Sequence, residues 1–191
     1  ARGRIDDGAG VDPGRARRTS AFCLYAAAAV TLAYSLLLSV LKGPFLDLLG
    51  TGPSTRAFTL DYLTWVLEIG GVPTVLGRVM GHLVRAEGSA RHASIGMSLG
   101  GILNIFLDPV FILTLDMGVK GAAIATLISN TATLIYFGAY LLRMREKTVV
   151  SAKPKDFALD GKLAASVVSV GLPAALQTCL SIVSNTTLNK L

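Results

Sequence analysis

Asn104 and Asp108 stand four residues apart in a stretch, 93–115, that holds no other charge. In a helix that spacing puts the amide and the carboxylate on one face, about 40° apart. Pro109 follows at once; its ring removes one N–H and leaves the carbonyl of Ile105 without its helical donor. Carboxylate, amide and freed carbonyl oxygens are hard ligands that suit Na⁺ better than they suit thiolate- or imidazole-seeking metals. Freed carbonyls at mid-membrane help to hold cations in transporters. A carboxylate kept in hydrocarbon can instead carry a proton. The same dipeptide also reads as a cap and first-turn proline that restart a broken helix, and Asn104 alone reads as an interhelical hydrogen bond.

Depth adds a third group. Asp108 lies seven residues before the end of its stretch, and Thr126 lies seven residues into the next one, which starts at 119. Both are then roughly 10 Å below their helix ends. The short turn Asp116-Met117-Gly118 makes the two helices antiparallel neighbours. Asp108, Asn104 and Thr126 can therefore converge on one cation, although a threonine in this setting also bonds its own helix one turn back. Asn130 and Glu68 are auxiliary candidates: Asn130 reads first as an interhelical hydrogen bond, and Glu68 could equally face a wet cavity. Arg78 reads as a side chain snorkelling to the headgroups. No nucleophile elbow, phosphate loop or zinc motif occurs, and His82 and His92 lack ligand spacing, so no enzyme and no bound cofactor beyond a coupling ion is expected.

The elements that position these groups follow from composition. Of 191 residues, 52% are hydrophobic and 16% charged, with a mean hydropathy of +0.58. That charge content is well below the roughly 25% of ordinary soluble domains, and it excludes intrinsic disorder. Two cysteines exclude a disulfide scaffold, and Cys23 and Cys179 read as small packing residues. The net charge of +6 does not mark a nucleic-acid binder, because the basic residues fill the gaps between apolar runs. Five stretches are long enough to cross a bilayer: 19–41, 62–84, 93–115, 119–142 and one from Leu163 towards the C-terminus. The expected fold is an all-α, polytopic transmembrane helix bundle.

Lysines and arginines alternate from rich to poor along the gaps. Arg2, Arg4, Arg15, Arg17 and Arg18 precede the first stretch; Arg143, Arg145, Lys147, Lys153, Lys155 and Lys162 surround the last gap. The bias predicts a multi-pass protein of the cell membrane with residues 1–18 and 143–162 cytoplasmic. Residues 144–160, polar and containing Lys-Pro-Lys, read as a cytoplasmic linker between two helical groups, 1–143 and 161–191. Gly70-Gly71 with Pro73, and Gly171 with Pro173, predict bends; Gly77-xxx-Gly81 and Gly96-xxx-Gly100 predict close helix packing. Both chain ends suggest a piece of a longer membrane protein, whose missing helices would be its partners along with lipid.

Leu83-Val84-Arg85-Ala86-Glu87-Gly88, the run 101–111 around Asn104 and Asp108, Gly118 to Thr126, and Gly171-Leu172-Pro173-Ala174-Ala175-Leu176-Gln177, in this order and spacing, resemble the multidrug and toxic compound extrusion (MATE) transporters. The DinF-like branch is the nearest in pattern. The resemblance covers nearly the whole chain, as helices three to seven of a twelve-helix, two-lobe fold. It implies that 1–143 belongs to the N-terminal lobe and 161–191 opens the C-terminal lobe. It further implies a Na⁺- or H⁺-coupled antiporter exporting small, cationic or amphipathic organic compounds. Asn104, Asp108 and Thr126 match the family's N-lobe cation site; the family's further carboxylate on its first helix has no counterpart here. Rival readings are a lipid-linked glycan flippase of the same superfamily, an intramembrane enzyme, and a membrane fragment without function.

Overall fold

The computed structural model describes residues 12–48, 52–145, 148–157 and 161–188. Residues 1–11, part of the 144–160 linker and the end of the last stretch, all named above, lie outside the described residues. The described residues are mostly helical, without strands: α1 (Pro13–Leu48), α2 (Pro53–Leu63), α3 (Gly71–Ala86), α4 (Ala90–Pro109), α5 (Gly118–Arg143) and α6 (Gly161–Leu188). Four segments are long and apolar enough to cross a membrane, Pro13–Asp47, Ala90–Thr114, Gly118–Arg143 and Gly161–Ile182. Large apolar side chains such as Leu113, Ile105 and Leu36 point outward. A multi-pass membrane protein explains that inversion, since lipid rather than water meets them.

The stretch 62–84 differs from a single span. It is divided into α2, a π turn at Thr64–Ile69, and α3. Gly70 closes the wide turn by donating its N–H to the Trp65 carbonyl at 3.0 Å, and a Cβ there would lie 2.8 Å from that oxygen. Ser35 Oγ, from α1, donates to the Leu67 carbonyl at 3.0 Å. Loosened backbone is tolerated inside a membrane only when a neighbour satisfies it in this way.

A second π turn, Val110–Thr114, follows Pro109. The helix runs on through Asp108 and Pro109, so the pair does not restart a broken helix. Instead the ladder widens, with Leu115 N–H bonded to the Val110 carbonyl at 3.0 Å. Asp116 and Gly118, at φ of 50° and 54°, then reverse the chain into α5. Pro173 leaves no break, because α6 is one helix from Gly161 to Leu188.

Helix α1 extends beyond the predicted 19–41 at both ends, through Lys42 and Pro44 to Leu48. Lys42 does not end it because its charge is matched: Nζ lies 2.8 Å from Glu68 Oε1 and donates to Thr64 Oγ1 at 3.3 Å. Replacing Lys42 with Met should leave the half-buried Glu68 without its cation. The thermal midpoint in detergent should fall by an amount equivalent to about 1–3 kcal/mol, and Glu68→Gln in the same chain should restore part of it.

Helices α3 and α4 pack side by side on α5. Gly77 and Gly81 on α3, and Gly96 and Gly100 on α4, all meet α5 side chains. Val84, Ala93, Phe137 and Leu141 are buried together at one end of this bundle, and Val150 from the following segment joins them.

That following segment is strapped down rather than loose. Glu87 accepts from Thr148 Oγ1 at 2.7 Å and from the Val149 N–H at 3.1 Å. Ser20 Oγ accepts from the Ser151 N–H at 2.9 Å, and Tyr25 Oη donates to the Ala152 carbonyl at 3.0 Å. Phe157 lies against the rings of Phe22 and Tyr25. Composition read 144–160 as a linker because side-chain acceptors on distant helices leave no local signal. Glu87→Ala removes two hydrogen bonds to a carboxylate, each worth about 1.5–3 kcal/mol. Trypsin should then cut after Lys155 at least several-fold faster than in the unaltered chain; the Lys153-Pro154 bond resists trypsin in either case.

Candidate functional site

Asn104 and Asp108 share one face of α4, as their spacing requires, and Asn104 Nδ2 donates to Asp108 Oδ1 at 3.0 Å. This bond orients both groups. It occupies one of the amide's two N–H donors and engages one carboxylate oxygen, leaving Asn104 Oδ1 and Asp108 Oδ2 as acceptors. Pro109, one residue on, fixes the backbone there without an N–H, and the π turn begins immediately after it. Both side chains are half-buried.

Beside the pair lies a cavity of about 320 Å³ between α3, α4 and α5. Asn104 lines it from α4, and Thr126 and Asn130 line it from α5. The structure thus brings Asn104 and Thr126 to one space, with Asp108 joined to it through Asn104 rather than lining it. Asn130 also bonds across helices, with Nδ2 donating to Thr74 Oγ1 at 2.8 Å. Glu68 does not come to this cavity; it faces Lys42 on α1. Among the described residues no group of three His, Cys, Asp or Glu side chains could hold a metal ion. Any cation here would be held by carboxylate, amide, hydroxyl and carbonyl oxygens.

Arg78, read from sequence as a snorkelling side chain, is exposed and lines this cavity together with Asn104 and Thr126. The backbone explains why. Its neighbour Gly77 packs at the level of Asn130 and Thr133, halfway along α5. From there α3 has eight more residues to Ala86, about 12 Å, and its side chains tilt back toward its own N-terminus, away from that end. Ser129, also on the wall, is 2% exposed, and its Oγ has no hydrogen-bond partner. A sequence signal existed for this wall: Thr74, Gly77, Arg78 and Gly81 form a small and polar stripe at helical spacing on α3.

No family model matches the chain. It is 30% identical over 169 residues to the multidrug export protein MepA of Staphylococcus aureus, covering 88% of the chain and 37% of MepA. An inward-facing multidrug resistance MATE family transporter of the MOP superfamily superimposes with a TM-score of 0.74 at 27% identity, over 86% of the chain and 41% of that protein. A Pyrococcus furiosus MOP superfamily transporter, described as having a binding pocket of reversed polarity, matches with a TM-score of 0.66 at 30% identity, over 89% of the chain and 41% of that protein. The chain spans about two fifths of the length of these relatives. By sequence and by helix arrangement together, it is similar to part of a multidrug and toxic compound extrusion (MATE) family transporter.

Proposed function

We propose that the chain supplies the cation-coupling part of a Na⁺- or H⁺-driven antiporter that exports small organic compounds across the cell membrane. Residues 1–18 and 143–162 face the cytoplasm in this reading, and residues 1–143 and 161–191 belong to the two lobes of a DinF-like member. The observation that carries it is the Asn104–Asp108 hydrogen bond at the edge of a polar cavity within apolar helices. A carboxylate so placed is expensive in a bilayer unless it has work to do there, and its free oxygen is available to a small cation. Thr126 adds a hydroxyl from the facing helix.

Coupling then follows from mass action. A cation that binds one arrangement of α4 and α5 better than another shifts the bundle toward it, by no more than its difference in affinity. The export of multidrug substrates is what the relatives' names describe, and the likeness to them favours the same activity here. The test is the thermal midpoint of the purified chain in detergent, titrated with NaCl against choline chloride at several pH values. Specific stabilisation by Na⁺ or by protons that disappears in Asp108→Asn supports the reading. Equal midpoints in both salts at every pH overturn it.

A further inference from the structure

Arg78 is exposed on the α3 wall of the cavity, and the helices around it offer almost nothing to neutralise its positive charge. Within α3, α4 and α5 the one acidic side chain is Asp108, and Asn104 already engages it. Among the described residues the printed ion pairs are Lys42–Glu68 and Arg56–Asp47, and no carboxylate lies within 4 Å of Arg78. The cavity wall around Arg78 has no acidic residue and is rich in donors: the amides of Asn104 and Asn130 and the hydroxyls of Thr126 and Ser129. The Ser129 hydroxyl is buried on that wall without a partner. The exposed guanidinium beside this polar cavity is accessible to a ligand, and its planar fork suits a carboxylate or a phosphate.

We infer that the α3–α4–α5 cavity receives the anionic group of an amphipathic organic ligand, a carboxylate or a phosphate ester, held by the Arg78 guanidinium and the Ser129 hydroxyl. This rests on the transport reading above and narrows its cargo: the group entering this cavity is negative. The volume of about 320 Å³ holds a head group with a small ring or short chain, while the rest of the ligand lies against the apolar helix faces. The cavity stands beside the cation pair rather than on it. A cation at Asp108 and an anion at Arg78 occupy different groups, so each can be removed by substitution without touching the other.

The test uses three probes of one shape, 2-naphthoate, 2-naphthyl phosphate and 2-naphthylmethylammonium, titrated into the full 191-residue chain in detergent. The chain is expected to bind one or both anions and to bind the ammonium at least about tenfold more weakly. Arg78→Gln should weaken the anions by roughly tenfold or more, Arg78→Lys should recover part of that, and Ser129→Ala should cost a few-fold. Retention of anion binding only by the phosphate identifies a phosphate-bearing cargo, and by both anions a carboxylate-tolerant one; either outcome supports the site. Preference for the ammonium, or anion affinity unchanged in Arg78→Gln, overturns it. So does the absence of anion binding in the unaltered chain, which would mean that a carboxylate from another segment neutralises Arg78. Arg78→Lys and Ser129→Ala decide the matter where Arg78→Gln does not fold. Asp108→Asn separates the two readings: it should abolish the cation response and leave anion binding in place.

Discussion

Asp108→Asn should abolish the dependence of the protein's stability and transport on its coupling cation while leaving the fold intact. The substitution keeps the side chain's size and can still accept the Asn104 hydrogen bond, so what it removes is the charge. Two unit charges about 4 Å apart at an effective dielectric of about 20 attract by about 4 kcal/mol. Cation affinity should therefore fall roughly a hundredfold or more. In the unaltered chain, a cation at about one hundred times its dissociation constant stabilises by about 2.7 kcal/mol, or some 5 °C in the thermal midpoint. In Asp108→Asn that shift should vanish. Asn104→Ala, which loses the orienting bond but keeps the carboxylate, should weaken the cation by about tenfold. Asn130→Ala removes only its bond to Thr74 and should leave the cation response unchanged. If Asp108→Asn behaves as Asn130→Ala does, Asp108 is a structural acceptor and the coupling assignment fails.

Gly96→Leu should have the largest effect on stability of any single change in the bundle. A Cβ at Gly96 would sit 2.7 Å from Phe137 Cε1 and 2.7 Å from Tyr136 Cδ1. Real side chains do not approach so closely, so α4 must move off α5 or both rings must turn. Phe137 is fully buried and is gripped from α3 as well, where a Cβ at Gly81 would lie 3.2 Å from its Cζ. Overpacking costs about 1–3 kcal/mol for a few added methylenes, and here three helices share the contact, so the upper end or more is expected. Lowered thermal midpoint and aggregation on size-exclusion chromatography are the readouts. Shortening Phe137 to Leu in the Gly96→Leu chain should return part of the loss. If the double variant is no better than the single one, the ring is not the obstacle. Because Gly100 closes the same interface against Thr133 and Ser129, this packing also sets the wall of the polar cavity.

Several residues show how far inference along the chain reaches. The pairing of Asn104 with Asp108 was legible because four-residue spacing on a helix is a local property. The antiparallel contact of α4 with α5 was legible because only Asp116-Met117-Gly118 separates them. Glu68 was not legible: its partner Lys42 lies 26 positions away, at what hydropathy marked as the end of α1. The strap from Thr148 to Phe157 was invisible for a similar reason, since its acceptors and ring partners come from Ser20, Phe22, Tyr25 and Glu87.

Hydropathy and charge determined that the chain crosses a membrane repeatedly, because apolar runs of that length cannot be hidden from water in so small a protein, and backbone in lipid must bond to itself as helix. Local spacing determined which oxygens of α4 share a face. Only the tertiary structure decided what stands opposite that face. Whether Arg78 meets headgroups or a polar cavity depends on how closely α3 and α4 approach α5, and those distances are set by glycines at 77 and 81 on α3 and at 96 and 100 on α4 meeting side chains of α5. Helix formation follows from each residue's immediate neighbours, whereas the electrostatics of the cavity depend on groups far apart in the chain that become neighbours only when three helices pack.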